Sequence, residues 1–216
     1  MPKLIPVINT KTTQKLKQRI RLLEKFDNTF QIDVADGKFT AWKTWNSPEV
    51  LKKIKNIQRK FELHLMVHNP EQIVPYWLEL LPRRIIVHLE AIKNFTFLLN
   101  LCKENEVELG IAINPETPFE DVNQYLDKVN FVVILGVSPG PSGQEFHWFV
   151  LDRVEKIKSN YPKIQCEIDG GVNEDNIERV KNSGADFIAI GSAIFEAKDP
   201  LERISYFQKI LAAPKK

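Results

Sequence analysis

Short apolar runs alternate with longer amphipathic stretches along the whole 216-residue chain. The runs fall at 4–8, 29–34, 62–66, 84–89, 108–113, 131–136, 164–169 and 187–190. They are continuous rather than alternating, as strands covered on both faces should be. The stretches between them have helical spacing. Ser47-Pro48, Asn69-Pro70, Thr117-Pro118 and Asp199-Pro200 each put a capping side chain ahead of a proline at the first helical position. Thr117 is followed three residues on by Glu120, which predicts a capping box; Asn173 is followed at that spacing by Asn176.

Eight βα units in 216 residues come to about 27 residues each, the lower end for a TIM barrel. The fold class expected is therefore α/β, with residues 1–216 forming a single (β/α)8 TIM barrel of parallel strands. A doubly wound open sheet is the competing architecture, and it carries a glycine-rich phosphate turn after its first strand. Here that place reads Asn9-Thr10-Lys11, without glycine. The glycine-rich turns follow the sixth, seventh and eighth runs, and a phosphate site near strands 7 and 8 is the barrel habit.

Composition narrows the setting. A hydrophobic content of 43% supports one well-buried core, and a formal charge of +2 spread over helical faces gives no basic patch for nucleic acid. Cys102 and Cys166 lie far apart in apolar surroundings and read as buried, reduced thiols, as in a cytosol. The start Met1-Pro2-Lys3-Leu4 lacks a signal-peptide layout, and no apolar run reaches membrane-span length. A cytoplasmic protein with no nucleic-acid or membrane partner is expected; a homo-oligomer is left open.

Residues at the carboxyl ends of barrel strands face one mouth. Those are Gln31 and Asp33 on the second run, His64 and Met66 on the third, His88 and Glu90 on the fourth, and Asp169 on the seventh. Positions two apart share a strand face, so Gln31 points with Asp33 and His64 with Met66. A lone Asp at a strand end is usually a cap, and a lone His on an apolar strand is usually hydrogen-bonded core. Asp33, His64 and Asp169, from three strands at one rim, instead have the chemistry of a divalent-metal site. His68 and His147 fall at helix starts and read as surface residues.

The run ending at Asp169 passes straight into Gly170-Gly171, which lets one loop hold both an acid and close backbone donors. Gly140-Pro141-Ser142-Gly143 follows the sixth run, and Gly191-Ser192 follows the eighth. Any one of these is an ordinary loop; three on neighbouring strands predict a phosphate cradle.

Taken in order, Gln31-Ile32-Asp33-Val34-Ala35-Asp36-Gly37, Glu62-Leu63-His64-Leu65-Met66-Val67, Val137-Ser138-Pro139-Gly140 through Gln144-Glu145-Phe146, Asp169-Gly170-Gly171 and Gly191 through Phe195 resemble the ribulose-phosphate 3-epimerase family across nearly the whole chain. The resemblance implies a TIM-barrel isomerase of the pentose phosphate pathway, interconverting D-ribulose 5-phosphate and D-xylulose 5-phosphate with a divalent metal such as zinc, iron, manganese or cobalt. Carried over by position, Asp33 and Asp169 are the catalytic carboxylates. Asp33, His64 and Asp169 are the metal ligands, Met66 is part of the apolar wall, and the three small-residue turns hold the phosphate.

Some positions depart from that pattern. Gln31 stands where the family has a metal-ligating His, which implies weakened or absent metal. Val7 replaces a Ser, while Ala35 and Leu135 replace Met. The loop after Asp36 carries Phe39, Trp42 and Trp45 where the family tends to have Pro-Asn. These departures raise two alternatives: another phosphosugar isomerase or epimerase on the same scaffold, or a non-catalytic phosphosugar binder that has lost its metal.

Overall fold

A computed structural model describes residues 1–24, 26, 29–141 and 143–214. The strands run β1 Lys3–Ile8, β2 Phe30–Ala35, β3 Phe61–Met66, β4 Arg84–His88, β5 Glu108–Ile113, β6 Phe131–Leu135, β7 Gln165–Asp169 and β8 Phe187–Ile190. They close into a barrel in chain order, and the pairings of β2 with β3, β3 with β4, β6 with β7, β7 with β8 and β8 with β1 are all parallel. The expected (β/α)8 barrel is the fold observed. Each strand lies within one residue of the apolar run that predicted it.

Helices follow the strands: α1 Thr13–Leu23, α2 Pro48–Leu51, α3 Pro70–Leu78, α4 Phe95–Glu104, α5 Phe119–Asn123, α6 Val150–Asn160, α7 Ile177–Asn182, α8 Ser192–Phe195 and α9 Pro200–Ala212, with a 3-10 turn at Leu89–Ala91. Their buried residues recur at helical spacing, as with Leu16, Ile20 and Leu23 on α1 and Ile204, Phe207 and Leu211 on α9. No helix among the described residues is long and apolar enough to cross a membrane.

The helix starts depart further from the sequence pattern than the strands do. Asp199 caps α9 as expected, accepting from the backbone of Leu201 and Glu202. Ser47 and Asn69 occupy their N-caps with proline next, but their side chains make no capping bond. The capping box at Thr117 does not form: Pro118 is itself the N-cap of α5, one residue later than the pattern suggested. Thr117 is pulled inward and buried, so burial outweighs local capping there. At α7 the cap is Asn176, and its Oδ1 accepts from the Asn173 backbone.

The chain divides into two compact units, Ile8–Ile111 and Met1–Val7 with Ala112–Lys216. In the first, strand register puts Gln31 beside Glu62, Asp33 beside His64 and Ala35 beside Met66, with Arg84 beside Glu62. One sheet face therefore carries the polar side chains, while Ile32, Val34, Leu63 and Leu65 form the other, fully apolar face. Both cysteines are buried and free, and burial pushes each thiol up to about 12.

Just past β2, Asp36 accepts from the backbone of Lys38 and Phe39 at 2.7 and 2.9 Å and from that of His68 at 2.9 Å. Burial works to raise its pKa, but these N–H groups outweigh it and hold the carboxyl below its ordinary 3.8. A carboxyl lowered on folding stabilises the fold above its unfolded pKa, and that contribution is lost as pH falls through the folded value. Asp36→Asn is expected to cost about 1 kcal/mol at pH 7 in urea unfolding. The gap to the unmodified protein should close as pH drops below 3.8; a gap unchanged under acid would assign the loss to something other than charge.

Candidate functional site

In the Ile8–Ile111 unit the carboxyl ends of β2, β3 and β4 carry a connected set of polar side chains. Asp33 is 7% exposed and His64 1% exposed, so neither is a solvated rim residue. Gln31, two residues before Asp33 on the same face, donates from Nε2 to Asp33 Oδ1 at 2.9 Å and lies 3.4 Å from His64 Nδ1. His64 Nδ1 is 3.6 Å from Asp33 Oδ1. The other ring nitrogen, His64 Nε2, meets His88 Nε2 at 2.9 Å, and the two rings are stacked. His88 Nδ1 faces Glu90 Oε2 at 3.4 Å, and Phe39 packs on the His88 ring.

These contacts order the protons. The Gln31 amide N–H2 is a donor, so His64 Nδ1 presents its lone pair toward it. His64 Nε2 then carries the hydrogen and donates to His88 Nε2, leaving the hydrogen of His88 on the nitrogen facing Glu90. His64 Nδ1 therefore presents its lone pair on the side of the Asp33 carboxylate, the form in which imidazole binds a metal. Met66, buried beyond His64, supplies apolar surface.

The second unit holds the glycine turns. Asp169 ends β7 at 8% exposed. Its carbonyl accepts from Gly136 N at 2.7 Å, which ties the turn after β6 to the turn after β7. That approach requires glycine at both: a Cβ on Gly136 would lie 2.5 Å from the Gly170 carbonyl oxygen, and one on Gly170 would lie 2.6 Å from Val137 Cγ2. Gly171 packs against Val137 in the same way.

Across the loop after β6, Gln144 Nε2 donates to the carbonyls of Ser138 and Pro141, and Ser138 Oγ donates to Glu116 Oε1. Gly140, Pro141 and Gly143 lie on this tethered loop; Ser142 falls outside the described residues. Gly191 caps α8 and Ser192 is its first residue, next to Val7, whose carbonyl oxygen lies 3.5 Å from where a Gly191 Cβ would stand.

Asp33, His64 and Asp169 each offer one ligand atom, and the three atoms lie within 4.8 Å of one another. Two carboxylate oxygens and an imidazole nitrogen at that spacing suit a divalent cation.

The profile of the Ribulose-phosphate 3 epimerase family matches residues 3–195. The chain belongs to the ribulose-phosphate 3-epimerase family. It is 35% identical to the ribulose-phosphate 3-epimerase of Aquifex aeolicus over 172 residues, covering 77% of each chain. It is 33% identical to that of Escherichia coli over 186 residues, 83% of this chain and 82% of that one. With the enzyme of Schizosaccharomyces pombe the identity is 30% over 189 residues, 86% of this chain and 82% of the other. The barrel is also shared with 3-hexulose-6-phosphate synthase from Salmonella typhimurium, at a TM-score of 0.72, 13% identity and 97% and 98% coverage, a likeness of fold alone.

Within a ribulose-phosphate 3-epimerase scaffold, the sequence pattern missed two polar partners. Asn9, directly after β1, donates from Nδ2 to Asp33 Oδ2 at 3.0 Å. Thr44 fixes the backbone on either side of Val34, donating to the Asp33 carbonyl and accepting from Ala35 N. Asn9 had a signal, a polar residue at the end of an apolar run; Thr44 had none, because its loop folds back from nine residues downstream. Of the two outlying histidines, His68 is exposed as expected and His147 is half-buried.

Proposed function

We propose that the protein is a metal-dependent epimerase of a phosphorylated ketose, interconverting D-ribulose 5-phosphate and D-xylulose 5-phosphate, with residues 1–216 acting as one domain. The observation that carries the reading is the buried Asp33, His64 and Asp169 cluster in a chain of the epimerase family. The C3 hydrogen of such a sugar is acidic because it lies next to the C2 ketone. One carboxylate takes that proton, and the C3–H electron pair moves to give a planar enediolate with its charge on the C2 oxygen. The second carboxylic acid returns a proton to the opposite face, the carbonyl re-forms and C3 is inverted. Asp33 and Asp169 are assigned these two roles.

A cation held by Asp33, His64 and Asp169 would supply charge stabilisation to the developing enediolate. Met66 is assigned to the wall beside the reacting carbons. The backbone of Gly140, Pro141, Ser142, Gly143, Gly170, Gly171, Gly191 and Ser192 is assigned to the phosphate. The test is incubation of the purified protein with D-ribulose 5-phosphate and zinc, iron(II), manganese or cobalt in turn. Formation of xylulose 5-phosphate supports the reading, and no conversion with any of them overturns it.

Gln31 bears on the metal separately. Its amide nitrogen already bonds Asp33 Oδ1, so a cation there meets a donor where an imidazole would offer a lone pair. Gln31→His is expected to tighten zinc binding about 10-fold or more, read by chelator competition and by metal content after purification. Unchanged affinity would mean that residue 31 is not part of the coordination sphere.

A further inference from the structure

The Trp-bearing loop between Asp36 and Asn46 is not absorbed by the reaction described above, yet it reaches back to the residue that is. We propose that Asn9 is a positioning residue for the Asp33 carboxylate and is itself oriented by the Trp42 indole, an inference that rests on the role proposed for Asp33.

The relay has three members. Trp42 Nε1 donates to Asn9 Oδ1 at 3.3 Å, and Asn9 Nδ2 donates to Asp33 Oδ2 at 3.0 Å. An indole N–H can only donate and an ionised carboxylate can only accept. Between them stands a planar carboxamide with one acceptor and one donor edge, so its orientation is dictated. Turned over, it would set N–H against N–H at one end and oxygen against oxygen at the other. The Asn9 backbone is pinned as well, its carbonyl accepting from Arg19 NH1 at 2.7 Å. Lys11 Nζ stands 3.7 Å over the Trp42 ring and holds the indole from the solvent side.

The same loop also grips the chain beside Asn9 and beside Asp33. Trp45 N donates to the Thr10 carbonyl at 2.7 Å and Trp45 Nε1 to Thr13 Oγ1 at 3.0 Å, which anchors the chain just after Asn9. Thr44 Oγ1 donates to the Asp33 carbonyl at 2.9 Å. Asp33 thus receives one amide donor on each oxygen, from Gln31 on its own strand and from Asn9 on the neighbouring loop. Two donors in fixed places stop rotation of the carboxylate about its last torsion; with one of them gone it can pivot. A proton-transfer group needs its oxygen held within a fraction of an ångström of the carbon it serves.

The test has one arm that needs no turnover. In 1H–15N spectra, the Trp42 indole resonance is identified by its loss in Trp42→Phe. It is expected to move in Asn9→Leu and in Asp33→Leu, because the bond it makes is to the amide that Asp33 orders. In turnover, Asn9→Leu is expected to lower kcat about 10-fold with KM within about 2-fold. The isotope effect of the 3-deuterated sugar should rise for the epimer whose proton Asp33 removes and not for the other. Trp42→Phe should lower kcat by a smaller factor and add nothing in the Asn9→Leu background.

An indole resonance unmoved by either variant overturns the proposal. So do isotope effects that rise alike in both directions, or losses that multiply in the double variant. Should Asn9→Leu fail to fold, Asn9→Ala takes its place in each comparison. An unmodified protein without epimerase activity overturns the proposed function, while the resonance still decides the relay.

Discussion

Asp33→Asn and Asp169→Asn are each expected to lower epimerisation by about 10^2- to 10^4-fold, the contribution of a single positioned proton carrier. Asparagine keeps the shape and an acceptor oxygen but cannot take up a proton. Asp33 lies near the carboxyl end of β2 and Asp169 ends β7, and the strand hydrogen bonds do not depend on either side chain, so thermal midpoints should stay near that of the unmodified protein. Solvent deuterium sharpens the outcome. With one carboxylate left, the protein can still exchange the C3 hydrogen of a single epimer without forming the other, and the two variants should label opposite epimers. Full interconversion by either variant would remove it from the mechanism. Labelling of the same epimer by both would mean that the two acids do not serve separate faces.

The strands were legible because their residues are buried on both faces, which makes each a mostly apolar run set off by polar, helix-spaced stretches. Helix starts were less so: Thr117 has every local feature of a cap, but drawing it into the interior moved the N-cap to Pro118. The candidate site was legible where chemistry coincides with strand ends. Asp33, His64 and Asp169 interrupt apolar runs, and a carboxylate or imidazole in such a run needs a reason to be there. Gln31 was legible as a departure, but its bond to Asp33 follows from strand geometry and amide direction, which composition does not carry. Asn9 and Trp42 lie 33 residues apart, joined by a loop that returns over β2, and no local pattern announces such a return. Glu62 and Arg84, near the starts of β3 and β4, are buried against each other, and no local pattern marks them as inward-facing partners.

Arg84→Met is expected to cost about 3–5 kcal/mol, the largest stability loss among these variants, because of that inward-facing cluster. Arg84 is 1% exposed, and its NH1 donates to Glu62 Oε2 at 3.0 Å. Its Nε and NH2 both donate to Glu108 Oε2, at 2.9 and 2.7 Å. Methionine fills similar aliphatic space but leaves the Glu62 carboxylate, 0% exposed, without its guanidinium partner. Glu108 is 29% exposed at its side chain and can turn to water, so most of the loss belongs to Glu62. The double variant Arg84→Met with Glu62→Leu separates burial of charge from loss of attraction. If stranded charge dominates, removing Glu62 as well recovers most of the stability, and the urea midpoint of the double variant lies above that of Arg84→Met alone. A double variant less stable than Arg84→Met would show that the Glu62 side chain contributes through contacts other than this ion pair.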